Sequence, residues 1–183
     1  MTPERFIENN VVRNRAQLGY CDSVVICRSR VGRGFGVVDV VLLPLHGFHR
    51  LVLVEAKQGT AADATSKVVG QLLIYYAGAL RLGTKGLRLM HGFASECARF
   101  ARSARPKSLK MLSGGVSPPE AAWKELQKGR KLRPEQIALC VALDGEPSTA
   151  LKSALEALAQ HHKLNIKVVS VLGRNRLQVW RAV

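Results

Sequence analysis

The runs Val37-Val38-Asp39-Val40-Val41-Leu42-Leu43 and Leu51-Val52-Leu53-Val54-Glu55-Ala56-Lys57 decide how this chain is read. Each is short, rich in Val and Leu, and bounded by turn formers, so each reads as a strand. Each also carries one carboxylate: Asp39 interrupts the first run and Glu55 closes the apolar part of the second. An acid inside such a run is costly unless it is paired, solvated or bound to a metal. Side chains alternate along a strand, which sets Asp39 with Val37 and Val41, and Glu55 with Leu53 and Lys57. If the two strands are neighbours, both carboxylates meet at one edge of the sheet.

Working outward, a helix is expected from Pro3 to about Arg15, with Thr2 as its cap and Phe6, Ile7, Val11 and Val12 near helical spacing. Residues 23–29 read as a strand, 30–36 as a turn rich in Arg and Gly, and 44–50 as a second turn. With the two runs above, this makes an antiparallel meander. Residues 61–82 read as a long helix starting near Thr60 or Asp63. A strand at 87–93, a short helix at 96–102, an irregular stretch at 104–119 and a short helix at 121–128 follow. Residues 137–143 read as a strand, 149–162 as a helix, and 166–172 and 177–181 as closing strands. The expected fold class is α/β of mixed type, a central mixed sheet flanked by helices, in a single domain over 1–183.

Composition narrows the partner. Lys plus Arg number 28 against 13 for Asp plus Glu, a net charge of +15. Such an excess favours a polyanion, and nucleic acid before an anionic membrane, because phosphate contacts release counterions. No apolar run is long enough to span a bilayer and the first residues lack the apolar stretch of a signal peptide, so a cytoplasmic protein is expected. The four cysteines, Cys21, Cys27, Cys97 and Cys140, contain no Cys-x-x-Cys pair, which argues against a zinc or iron–sulfur site. Cys27 and Cys140 read as core residues, as does Trp180. His46, His49, His161 and His162 read as solvated ends of turns and helices.

Two carboxylates at one point suit Mg²⁺, which takes oxygen ligands and keeps water and phosphate oxygens in its shell. Lys57 beside them would orient the attacking water or help deprotonate it, and would balance charge on a phosphate. Gln71 and Tyr75 are one helical turn apart and share a stripe with Lys67 on the long helix. Gln71 would hydrogen-bond the water or the Lys, and Tyr75 would hold a phosphate or a base.

The order Asp39, then Glu55-Ala56-Lys57, then Gln71 and Tyr75 resembles the PD-(D/E)xK nuclease superfamily and its restriction-endonuclease-like core. The Gln-x-x-x-Tyr element is similar to the branch of RecB-type and Cas4-type nucleases, without the iron–sulfur cysteines. Val38 stands where the motif has Pro. The resemblance covers about residues 4–82 and implies Mg²⁺ or Mn²⁺ held by Asp39, Glu55 and the main-chain carbonyl of Ala56. It further implies an acid from the first helix, Glu8 or else Glu4. It implies a Mg²⁺-dependent deoxyribonuclease in which Lys57 serves the nucleophile and Gln71 positions it.

Basic residues surround this core. Arg28, Arg30 and Arg33 crowd the first hairpin, as a loop touching a nucleic-acid backbone or as a turn with solvated charges. Lys67 and a zone with Arg105, Lys107 and Lys110 are further candidates for backbone contact, and Trp123 reads as a core anchor or a stacking platform. DNA is the expected partner, with RNA not excluded. A homodimer or a larger nucleic-acid-processing complex is compatible with the sequence. So is a non-catalytic binding module, which would leave Asp39 and Glu55 without a role.

Overall fold

Three apolar runs form the expected meander: β1 (Ser23–Arg30), β2 (Val37–Pro44) and β3 (Leu51–Lys57), each antiparallel to the next. The sheet continues with β4 (Ile137–Leu143) and β5 (Asn165–Val171), parallel to β3, and closes with antiparallel β6 (Leu177–Arg181). Spatial order equals chain order across the six strands. The computed structural model describes residues 3–44, 46–59, 64–81, 132–173 and 176–181. The elements expected between 87 and 128, and the helix start at Thr60 or Asp63, lie outside the described residues.

Three helices cover the sheet among the described residues. From α1 (Pro3–Arg13), Ile7, Val11 and Val12 pack on Val40, Leu42, Val52, Val54, Ala138 and Val169. On the opposite face, α2 (Ala64–Arg81) and α3 (Thr149–His162) set Val68, Leu72, Tyr75, Ala79, Leu151 and Leu155 over Leu51, Leu53, Leu139 and Val141. The result is a mixed α/β fold with a mixed sheet between two helical layers. All seven residues of β4 are buried, as a parallel strand covered on both faces requires. Ser148 caps α3, its hydroxyl accepting from Leu151 N at 3.2 Å, and Lys163 ends it in the left-handed region at φ 53°. No helix among the described residues is long and apolar enough to cross a membrane.

Two readings change. Trp180 is not core: it stands at the surface of edge strand β6, with the Lys152 ammonium 4.2 Å from its ring centroid. His49 is not a solvated turn end: it is half-buried, its Nδ1 3.0 Å from the Tyr20 hydroxyl. Cys140 is buried as expected, and Cys27 is half-buried against the α1-side core.

Strict alternation also fails where it matters most. Val37 is exposed, whereas Val38 is buried on the α2 side together with Val41, so the side-chain sequence of β2 shifts at Asp39. Arg28, which the register of β1 sets opposite Asp39, has φ 57°. A left-handed backbone at a non-glycine residue costs on the order of 1–2 kcal/mol. The two strands kink together at this pair.

The turn between them is pinned to α2. Val31 is buried, and a Cβ on Gly78 would lie 2.8 Å from Phe35 Cβ and Cγ. One helical turn earlier, a Cβ on Gly36 would lie 3.1 Å from the Tyr75 ring. Arg81 also reaches over the Phe35 ring, 5.8 Å from its centroid. Gly78→Ala should therefore forfeit the roughly 1 kcal/mol that Ala gains over Gly inside a helix and lower the thermal midpoint. Adding Phe35→Ala should recover the helix gain, and a double-mutant cycle by thermal denaturation measures the coupling.

Candidate active site

The β2–β3 ladder pairs Leu42↔Val52, Val41↔Leu53 and Val40↔Val54, then stops. By the same register Asp39 would face Glu55 and Val38 would face Ala56. Instead, the Asp39 carboxylate accepts from Ala56 N at 2.9 Å, so a side chain takes over a strand's acceptor. In an extended strand the N–H and C=O of one residue point to the same side. The Ala56 carbonyl is therefore directed into the same gap, away from β4.

Glu55 is 1% exposed, and an isolated carboxylate there would be prohibitively costly. Two donors hold it. Lys57 Nζ lies 2.9 Å from Oε1 and the Tyr75 hydroxyl donates to Oε2 at 2.9 Å, while the Asp39 carboxylate lies close enough for the Glu55 charge to raise its cost of ionisation. Tyr75 Oη also lies 2.8 Å from the Val37 carbonyl, with Gln71 near it on the same helix. One phenolic proton thus serves two acceptors and ties the start of β2 to the end of β3. Burial first, then the Glu55 charge, pushes the Tyr75 hydroxyl well above its ordinary range, so it stays a donor.

The structure brings Asp39, Glu55, Ala56, Lys57, Gln71 and Tyr75 into one network. Glu8 lies beside it: buried on α1, it is bound by Arg28 at 2.9 Å. Cys27 sits among Glu8, Arg28 and Asp39; burial, and then the Glu8 charge, pushes its thiol up to about 11, too high for a reactive thiolate. Glu4 lies 3.7 Å from Lys57. Burial alone would lower the Lys57 pKa, but Glu55, Glu4 and Asp39 outweigh it and the net direction is upward. Lys57 is thus held as an ammonium.

Of the basic candidates, Arg28 is engaged with Glu8, while Arg30, Arg33 and Lys67 are exposed around the site. Arg105, Lys107, Lys110 and Trp123 lie outside the described residues. Asp144 escaped the sequence reading. It follows β4 directly, and its carboxylate accepts from Gly59 N, fixing the chain just after Lys57. Its signal was the same as that of Glu55, an acid closing an apolar run.

No three His, Cys, Asp or Glu side chains among the described residues converge so as to hold a metal by themselves. The donor set at the gap is two carboxylates and a main-chain carbonyl. That is a partial oxygen shell, which fits an ion that retains water and substrate oxygens. Comparison with known proteins gives no match to a family model, a curated protein or a solved structure.

The two carboxylates also set a pH dependence. Burial first, and then the proximity of Glu55, lifts the Asp39 carboxyl from 3.8 to about 6 against the opposing Ala56 hydrogen bond and Lys57 charge. A carboxyl whose folded pKa is raised binds more protons folded than unfolded between those values. Its contribution is present below about pH 4 and is lost as pH rises through about 6. Asp39→Asn keeps an acceptor for Ala56 N–H without the charge. Urea denaturation in EDTA should show the variant about 1–2 kcal/mol more stable at pH 7, after discounting for partial exposure, with no gain at pH 4. Tyr75→Phe should cost about 1.5–3 kcal/mol, because it strips a donor from a buried carboxylate.

Proposed function

We propose that this chain is a metal-dependent nuclease of the restriction-endonuclease-like kind, hydrolysing phosphodiester bonds of DNA at the Asp39–Glu55 gap. The observation that carries the reading is the end of the β2–β3 ladder: Asp39 takes over the Ala56 N–H where the strand pair parts, beside Glu55, with an ammonium 2.9 Å from the Glu55 carboxylate. Burial first, and then the neighbouring Glu55 charge, makes ionised Asp39 costly, a cost that added positive charge would relieve. Asp39, Glu55 and the Ala56 carbonyl are the groups that would hold Mg²⁺ or Mn²⁺. Such an ion, when bound, supplies Lewis acidity and positive charge at the phosphoryl oxygens.

The chain's own residues do the rest. Lys57, as an ammonium, donates to the attacking water and to a non-bridging phosphoryl oxygen, orienting the first and stabilising charge on the second. It does not act as a base while Glu55 holds it. Tyr75 and Gln71 fix the Glu55 carboxylate, acting as positioning residues. Glu8 would join the site only by giving up Arg28. Arg30, Arg33 and Lys67 offer positive charge to the backbone around the gap.

A second reading has an observation in its favour. Each carboxylate of the network already has donors from the chain itself, so the acids also make sense as internal structure in a nucleic-acid-binding module without cleavage. Labelled single- and double-stranded DNA, incubated with Mg²⁺, Mn²⁺ or EDTA, separates the two. Cleavage that requires metal and falls by about 10²-fold or more in Lys57→Ala is the expected result, with circular dichroism showing that the variant is folded. Mn²⁺ should raise the thermal midpoint of the wild type and not that of Asp39→Asn. Tight DNA binding without cleavage under any metal, unchanged by Asp39→Ala and Glu55→Ala, would establish the second reading instead.

A further inference from the structure

A cavity of about 580 Å³ lies where the 16–20 segment after α1 meets the 46–49 turn and the strands β5 and β6. The 46–49 turn precedes the start of β3, whereas the register sets Lys167 and Arg181 in line with Val54, two and three strands across from β3. Lys167 alternates with Ile166 and Val168 of the α2-side core, so it lies on the α1 side of the sheet. The gap and the cavity differ in charge. Asp39 and Glu55 stand at the gap, with Glu4 and Glu8 at its side, whereas the described lining of the cavity holds Lys167, Arg181, His46 and His49 and no carboxylate.

Lys167 and Arg181 are direct cross-strand partners. Like charges placed so oppose each other, and here no acid among the lining residues offsets them. Lys167 is half-buried, and burial, joined by Arg181, presses its pKa downward. It has three N–H donors. One goes to the Leu18 carbonyl at 2.8 Å, and the ammonium stands 4.3 Å from the Tyr20 ring centroid, which leaves donor capacity toward the cavity. His49 uses Nδ1 on Tyr20, and its Nε2 has no partner among the described residues. Phe48, 55% exposed, is the most exposed large hydrophobic residue described, and its ring lies at the cavity beside His49. Paired cations without a counter-ion call for a phosphate. An open aromatic face calls for a planar base. The volume falls in the roughly 300–1,000 Å³ range of small-molecule sites, far beyond what phosphate alone needs.

We propose that this cavity binds one nucleotide unit, with its phosphate between Lys167 and Arg181 and its base on Phe48. The unit comes either from a free nucleotide or from a nucleic-acid strand. The site stands on its own residues and does not depend on cleavage at Asp39 and Glu55.

Isothermal titration in EDTA at low salt tests it, with adenosine 5′-monophosphate, adenosine and inorganic phosphate as probes. The mononucleotide should bind more tightly than either fragment. Lys167→Gln and Arg181→Gln should each weaken it by about tenfold, as expected for loss of a charge-assisted contact. Phe48→Ala should weaken the mononucleotide but not phosphate. Arg181 and Phe48 are exposed, so their variants remain informative if Lys167→Gln does not fold. Competition by a 5′-phosphorylated oligonucleotide assigns the site to a strand; its absence, with the mononucleotide bound, assigns it to a free nucleotide. No binding, equal binding of adenosine and its monophosphate, or affinity indifferent to Arg181→Gln and Phe48→Ala would overturn the proposal.

Discussion

The site depends on one hydrogen bond, from Ala56 N–H to the Asp39 carboxylate. Had β2 and β3 stayed paired, Val38 would have supplied that acceptor and Asp39 would have had no reason to turn inward. Because the side chain takes the donor, the backbones part without leaving a buried N–H orphaned. The parting opens room for two carboxylates and directs the Ala56 carbonyl toward them. The kink has a partner in β1, where Arg28 adopts φ 57° and reaches Glu8 on α1. A strained residue at a strand break, tied to a buried carboxylate, is a local cost of the kind that gathers at functional sites.

The gap is kept open by packing from α2. Tyr75 and Gly78 lie one turn apart on α2, and Gly36 and Phe35 meet them in turn. The Tyr75 hydroxyl then reaches both Val37 O and Glu55. The same helix that buries Val68 and Leu72 in the core therefore fixes the geometry of the carboxylates. Moving the site requires moving the core, which gives the acids a defined separation without a rigid loop of their own.

Among the described residues the strands and helices were legible because their apolar periods were long and their boundaries were marked by turn formers. Leu51–Lys57 and Ile137–Leu143 are instances in which every position of the run is apolar or chemically unusual. Asp39, Glu55 and Lys57 were legible as exceptions to those runs. What could not be read was contact across distant segments. Nothing in the spacing says that Arg28 binds Glu8, that Phe35 lies on Gly78, or that His49 meets Tyr20, since each is a product of layer packing. Alternation misplaced Val37 and Val38 because it assumes an unbroken strand, and Asp39 is where the strand breaks. Trp180 was misread because an edge strand exposes one side of a residue whose type favours the core.

Charge orders these pieces into one argument. The chain carries an excess of 15 positive charges, yet Asp39 and Glu55 stand together at the gap, with Glu8 on Arg28 and Glu4 by Lys57 at its side. A basic exterior raises the local concentration of a polyanion and speeds its arrival. In the proposed reaction the polyanion would meet Asp39 and Glu55, and a phosphate would be repelled by two carboxylates in a half-buried space. Lys57 and Arg28 compensate the acids from within, but each is already committed to one of them. A divalent cation, as proposed, would resolve the conflict, because it would satisfy both carboxylates and still offer positive charge to the phosphate. The separation of a basic exterior from an acidic centre thus favours the proposed metal-dependent hydrolysis over simple adhesion to nucleic acid, which has no use for two acids at the point of contact.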